Sequence, residues 1–338
     1  MSTERAAPIS LDFVVPCYNE EDALPETHRQ LAAVRDTMFR QGRITTDSKI
    51  CYVDDGSLDA TWSLICALSV EHPWVFGIRL SRNFGHQSAV LAGLFTSAGD
   101  AVITIDADLQ DDVAAIPAML ECYREGCEIV YGVRRERSSD TVFKRRSALF
   151  YYSLLRKLGV NVIRNHADYR LMSRRALHAL SKFTEVNLFL RGLVPLIGFR
   201  SSNVYYDRKS RLAGESKYSL GKMLRLALDG ITSLSAVPLR SVSVMGMCVF
   251  LLSLGMAAWV LWIRLFTTRA VPGWASSVIP IYFLGGIQLL CLGVLGEYVA
   301  KSYLEIKRRP RYLISETTAP WGSVNRTAAA NEPDCVRS

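Results

Sequence analysis

The sequence predicts an α/β protein, an open sheet with strands and helices in alternation, followed by an apolar C-terminal region. Three observations carry that reading. Largely apolar, strand-length runs stand at residues 11–15 (LDFVV), 50–53 (ICYV) and 102–105 (VITI). Each run hands over to polar residues that include carboxylates: PCYNEE from Pro16, DDGS from Asp54 and DADLQD from Asp106. Two long stretches, residues 241–263 and 270–296, hold no charged residue.

The first ten residues are polar and read as a flexible start without the apolar core of a cleavable leader. The first strand then delivers Pro16, Tyr18 and Glu20 to its end, and the second delivers Asp54 and Asp55. Gly56 suits a tight turn there, and Ser57 or Asp59 can cap a helix beginning near Ala60. A further strand precedes Arg82 and Asn83. In open α/β sheets ligands bind outside the carboxyl ends of the strands, so three acid-tipped strands on one edge mark a site. A single Asp-x-Asp is more often a pair of solvated loop acids; the set of three raises its meaning.

Asp106 and Asp108 are spaced i and i+2, which on a strand puts them on one face, and Gln110 continues the spacing with a neutral oxygen. Oxygen-only ligation by few protein groups suits Mg²⁺ or Mn²⁺ bound together with phosphates. The implied chemistry is on a nucleotide diphosphate. Eight cysteines are scattered without a C-x-x-C pair, which favours free thiols over a zinc site.

The net charge of +8 points to an anionic surface. Nucleic acid is disfavoured as the partner because the basic residues flank apolar segments. Spans of about 20 apolar residues cross a bilayer, and the two uncharged stretches predict a transmembrane hairpin within residues 241–300, with spans near 242–263 and 278–299. Lys217, Lys222, Arg225 and Arg240 precede it, and Lys301, Lys307, Arg308, Arg309 and Arg311 follow it, whereas the link carries only Arg264 and Arg269. That asymmetry predicts a multi-pass inner-membrane protein with its catalytic domain, residues 11–218, in the cytoplasm. Residues 148–158 and 220–234 have helical apolar spacing. A core-facing helix gives the same pattern, but neighbouring basic residues favour an interfacial helix over residues 219–240. Residues 301–338 read as a cytoplasmic basic segment and a disordered polar tail.

The strings VPCYNEE, VDDGS, SRNFGHQ and DADLQD, in that order, resemble glycosyltransferase family 2 and its GT-A fold, a Rossmann-like mixed sheet with flanking helices. ADYRLMSR and GESKYS narrow the likeness to polyprenyl-phosphate glycosyltransferases, similar to dolichol-phosphate mannose synthase and the bactoprenol glucosyltransferases. The likeness covers residues 11–312. It implies inverting, metal-dependent transfer of a sugar, UDP-glucose being the favoured donor, to undecaprenyl phosphate, for later modification of an envelope glycan such as lipopolysaccharide. It also implies a homo-oligomer, with a tetramer as one form.

Residue by residue, the resemblance implies that Pro16, Tyr18, Glu20, Asp54, Asp55, Arg82, Asn83 and Asp106 hold the nucleotide sugar. Asp106, Asp108 and Gln110 hold the metal. Asp168 orients the sugar or acts as base, with Arg170 paired to it or to phosphate. Arg134, Lys144, Arg145, Arg211 and Lys217 bind the acceptor phosphate, Arg146 being an alternative within its basic cluster. A processive polysaccharide synthase is the rival enzyme, but the Gln-x-x-Arg-Trp string of that group is missing. A non-catalytic nucleotide-sugar scaffold predicts damage at the acids, which are all present. Neither G-x-G-x-x-G nor a P-loop occurs, which removes dinucleotide and P-loop readings.

Overall fold

The computed structural model describes residues 7–135, 166–185, 190–207 and 274–318, with isolated helical positions between 239 and 266. One mixed sheet contains β1 (Leu11–Cys17), β2 (Ile50–Asp54), β3 (Val75–Leu80), β4 (Ala101–Thr104), β5 (Ile129–Arg134), β6 (His166–Ser173), β7 (Ser201–Tyr206) and β8 (Ile314–Thr317). The helices are α1 (Leu24–Arg40), α2 (Thr61–Glu71), α3 (His86–Thr96), α4 (Ile116–Arg124), α5 (Arg174–Ser181), α6 (Leu190–Leu196) and α7 (Trp274–Ile306). Strand order is β7-β5-β6-β4-β1-β2-β3-β8. The α/β class and the three acid-tipped strands are therefore as the sequence predicts.

Every residue of β1 is buried, as expected of a parallel strand covered on both faces. Alternation along the pleat divides its side chains between two hydrophobic clusters. Leu11, Phe13 and Val15 pack with Leu24 and Leu31 of α1 and Met119 of α4, while Val14 packs with Val90 and Leu94 of α3.

β1 pairs in parallel with β2 and β4, and β2 in parallel with β3. β6 runs antiparallel between β4 and β5. The chain therefore reverses its direction of sheet growth at β1, and the crevice beside the β1 and β4 tips is the expected ligand site. The antiparallel β6 brings its own beginning to that edge.

Two expectations are corrected. The polar tail contributes β8, whose Glu316 lies opposite Arg79 of β3. Glu316 accepts hydrogen bonds from Arg79 (3.2 Å) and from the Trp62 indole (3.1 Å), and Gly77 N–H donates to Thr318 Oγ1 at 2.9 Å. Local polarity hid this strand because its partner lies more than two hundred residues upstream.

The second correction concerns the membrane. Residues 274–296 of the later uncharged stretch lie in α7, a 33-residue helix that continues through Glu297, Lys301 and Glu305, with Lys301 3.8 Å from Glu297. Among the described residues no helix is long and apolar enough to cross a membrane. That finding contradicts the multi-pass inner-membrane location, which rested on counts of uncharged residues, and no transmembrane hairpin is found among the described residues. Most of the first stretch and the segment proposed as an interfacial helix lie outside the described residues. By its internal contacts the chain divides into two units, residues 149–161 with 218–309 forming one and the sheet belonging to the other.

A buried imidazole gives the sheet unit a pH dependence. His28 of α1 is 8% exposed, stacks on His72 and Trp74, and has Nδ1 3.1 Å from the Tyr52 hydroxyl. Burial first, then His72, holds its pKa below the ordinary value. The unfolded chain therefore takes up this proton more readily than the native one, so its contribution to stability falls as pH drops below about 6.5. Thermal melts of wild type and His28→Gln between about pH 7.5 and 5 should show the smaller loss in the variant. Parallel losses would rule out His28 as the source.

Candidate active site at the strand tips

The first two strand tips are knitted together. Asn19, at φ 54°, donates its N–H to Ser57 Oγ (2.9 Å) and accepts Leu58 N–H (2.9 Å). Glu20 N–H donates to Thr61 Oγ1 at 2.9 Å, and Ala60 N–H to the Glu21 carboxylate at 2.8 Å. The N-cap of α2 is Ala60, without a side-chain capping bond; Asp59 just before it accepts Thr61 N–H (3.1 Å) and Glu21 N–H (3.2 Å), while Ser57 pins the neighbouring loop. This double loop leaves Tyr18 half exposed beside the buried Pro16.

The two acids expected at the nucleoside have internal work. Asp54 is fully buried, accepts Ser57 N–H at 3.0 Å and lies 3.3 Å from Arg79 Nε. Asp55 accepts Phe84 N–H (2.7 Å) and Gly85 N–H (2.9 Å), so both its oxygens clasp the SRNFGH loop. Burial nonetheless raises the Asp55 pKa. Arg82 lies 4.0 Å above the Phe84 ring, and its guanidinium donates to Asn83 O. Pro16, Tyr18, Glu20, Asp54, Asp55, Arg82 and Asn83 thus sit on three adjoining loops.

The central acids are brought together by strand register. β4 ends at Thr104, opposite Arg170 of β6. Continuing that antiparallel register sets Asp168 opposite Asp106. The strand has ended before both acids: Asp106 follows it directly and Asp108 lies in the turn beyond, and both are less buried than Ile105, Ala107 and Leu109 around them. Leu109 has φ 52° in this turn, and Asp108 Oδ1 accepts Gln110 N–H at 3.2 Å. Among the described residues no group of three or more acidic, histidine or cysteine side chains is assembled as a ready metal site.

His86, the first residue of α3, bridges the acids: its Nε2 is 3.6 Å from Asp106 and 3.5 Å from Asp168. Burial and the helix N-terminus both oppose a charge there, yet Asp168 and Asp106 prevail and lift His86 to about 9. Asp168 also binds the buried Arg170 directly and takes two bonds from Arg191, at 3.1 and 3.4 Å. Burial works to raise Asp168, but His86, Arg170 and Arg191 together hold it well below the usual carboxylate range.

Beside this cluster lies a second one. Arg134 donates to Asp111 (3.0 and 3.3 Å) and to the Tyr206 hydroxyl (3.2 Å), and Tyr206 donates to Asp111 at 2.5 Å. Burial followed by Asp111 raises the Tyr206 phenol. Arg134, expected at the acceptor phosphate, is thus tied to the end of the DADLQD string. Lys144, Arg145, Arg211 and Lys217 lie outside the described residues. His86 stood inside a quoted motif without a role, and Arg191 went unnoticed because nothing local in FLRGL distinguishes it.

Residues 12–181, half of the chain, match the family described as glycosyl transferase family 2. The chain belongs to that family. As a family 2 glycosyltransferase it is an enzyme, and its mixed sheet with flanking helices is GT-A-like. It is 50% identical over 306 residues to "Uncharacterized glycosyltransferase YkoT" of Bacillus subtilis, with 90% of each chain covered. It is 38% identical over 310 residues to "SfII prophage-derived bactoprenol glucosyl transferase" of Shigella flexneri, covering 91% of this chain and 98% of the relative. The "Prophage bactoprenol glucosyl transferase homolog" of Escherichia coli is 38% identical over 307 residues, covering 90% and 98%. These relatives match nearly from end to end, so the likeness takes in far more than the strand-tip motifs.

Proposed function

We propose that this glycosyltransferase moves a sugar from a nucleotide diphosphate, UDP-glucose being the donor of choice, to the phosphate of a polyprenyl phosphate. The product is a polyprenyl-phosphate sugar with inverted anomeric configuration. The observation that supports this best is the meeting of Asp106 and Asp168 across His86 at the strand tips, with Arg170 and Arg191 beside them. The names of relatives that match over almost their whole length supply the acceptor class.

The double loop of β1 and β2, with the SRNFGH loop clasped by Asp55, forms the wall for the nucleoside. Tyr18 and Arg82 present an aromatic face and a cation there. Asp106 suits a divalent cation. Burial, joined by Asp111, Asp168 and Asp108 and opposed by His86, lifts its carboxyl to about 6, so its anionic form gains most from an added positive charge. Asp106, Asp108 and Gln110 are the residues that would hold Mg²⁺ or Mn²⁺. Such an ion, when bound, stabilises the charge that grows on the departing diphosphate.

The nucleophile is a phosphate oxygen, already anionic near neutral pH, so no strong base is needed. What the reaction asks of the protein is positive charge to hold a dianion near carboxylates. Lys144, Arg145, Arg211 and Lys217 are proposed for the lipid side of that task. The test is transfer from a panel of radiolabelled nucleotide sugars to undecaprenyl phosphate in detergent, with and without EDTA. Glucose transfer that EDTA abolishes and Mg²⁺ or Mn²⁺ restores is expected; full activity in EDTA would falsify the metal assignment.

A further inference from the structure

We infer that Arg191 is a phosphate-binding residue of the reaction centre, and that Asp168 is the positioning residue that aims it. The inference rests on the proposed phosphate chemistry and adds a group that the sequence motifs do not mark.

The starting point is a count of charges. Asp168 already has a partner of its own in Arg170, whose side chain is 1% exposed and reaches both Asp168 and the Leu190 carbonyl. That pair is buried, and each charge neutralises the other. Arg191 is a second guanidinium on the same carboxylate, and its side chain is 42% exposed. Two guanidinium groups therefore share the one carboxylate of Asp168. The Arg134 cluster next door shows the ordinary arrangement, one guanidinium on the one carboxylate of Asp111.

A guanidinium that shares an already partnered carboxylate keeps donors for another anion. Arg191 is built to receive one. It binds Asp168 through Nε and one terminal nitrogen, and among the described residues its other terminal nitrogen meets no acceptor. A planar guanidinium fixed along one edge presents its remaining N–H groups in a set direction, which suits a phosphate oxygen better than a mobile ammonium would. Its place at the second position of α6 follows directly from Leu190, whose N–H is held by Gln87 of α3 at 2.8 Å. The same helix that positions His86 therefore also locates the base of Arg191. Asp168, with two guanidinium groups on it, serves to orient these donors.

The phosphate has two possible sources, the diphosphate of the donor and the phosphate of the acceptor. Full-length Arg191→Ala and Arg191→Lys proteins separate them. Calorimetry with UDP and with inorganic pyrophosphate reads the donor side, and the KM for undecaprenyl phosphate in detergent reads the acceptor side. At least a tenfold loss of UDP and pyrophosphate affinity in Arg191→Ala places the donor diphosphate on Arg191. At least a tenfold rise in acceptor KM with unchanged UDP affinity places the acceptor phosphate there. Partial recovery in Arg191→Lys is expected in either case, and melting temperatures should hold because Arg170 still neutralises Asp168.

Binding and acceptor KM within twofold of wild type in Arg191→Ala would overturn the inference, whatever happens to kcat. The positioning role of Asp168 has its own reading. Asp168→Asn should move the same UDP, pyrophosphate or acceptor reading that Arg191→Ala moves; a fall in kcat with all of those readings unchanged would deny Asp168 the positioning role. Should no polyprenyl phosphate be glycosylated at all, the proposed reaction fails; the UDP and pyrophosphate titrations then decide Arg191 alone, and unchanged affinity in Arg191→Ala overturns the inference.

Discussion

Asp106→Asn should reduce sugar transfer by about a hundredfold or more while leaving the protein folded. The substitution keeps the shape of the side chain and removes its charge. Asp106 is half-buried, His86 is 3.6 Å away, and three other carboxylates lie close enough to repel it. Its ionised form is therefore kept at a cost that a structural role does not explain. The sign of the stability change follows from the raised pKa. Above about pH 6 the native state must carry a charge that the unfolded chain carries more easily, and the amide relieves that burden. The melting temperature at pH 7.5 should thus hold or rise as activity disappears. A lower melting temperature matching the lost activity would mean that Asp106 supports the fold and that its catalytic assignment is wrong.

Gly56→Ala should destabilise the sheet unit by about 2–4 kcal/mol and weaken UDP binding with it. Gly56 has φ 69°, a region costly for a residue with a Cβ, and that Cβ would stand 2.6 Å from the Arg82 carbonyl carbon. The obstacle is backbone, so no rotamer change relieves it. The DDGS turn and the SRNFGH loop would be forced apart, and Asp55 would lose its grip on Phe84 and Gly85 N–H. Gly42 supplies the control: its φ is 67°, but nothing lies within 4 Å of an added Cβ. Gly42→Ala should therefore show the conformational cost alone, roughly 1–2 kcal/mol. Equal losses at the two positions in urea unfolding would show that the loop contact carries no energy.

The strands that end in acids were legible because a parallel strand buried on both faces must be apolar along its length, and its functional end must not be. β1, β2 and β4 announce themselves in that way. Asp106 and Asp168 were each singled out from motif strings, but their meeting depends on β6 entering antiparallel beside β4, a matter of tertiary register. Arg191 and the role of His86 were hidden for the same reason. Each is defined by a carboxylate distant in the chain, and neither neighbourhood has a pattern of its own. Arg134 shows the converse case. A basic residue at a strand end looks available in the sequence, and Asp111 and Tyr206 claim it in three dimensions. The membrane location was overread from runs of uncharged residues, and β8 was missed because its sequence is polar and its partner remote.

The remoteness of β8 has a consequence for how the protein comes into being. β3 is made early, and the strand that covers its outer edge emerges only after some 237 further residues, from Leu80 to Thr317. At ordinary rates of synthesis that interval is on the order of ten to fifty seconds. Through it the growing chain carries an open strand edge, with Arg79 and Trp62 waiting for Glu316. Such an edge invites pairing with other nascent chains. The loop proposed as the nucleotide wall, linked to that edge through Arg79 and Asp54, is thus among the last parts of the sheet to be locked, and a ribosome-bound chain halted before β8 should be far more prone to aggregate than the finished enzyme.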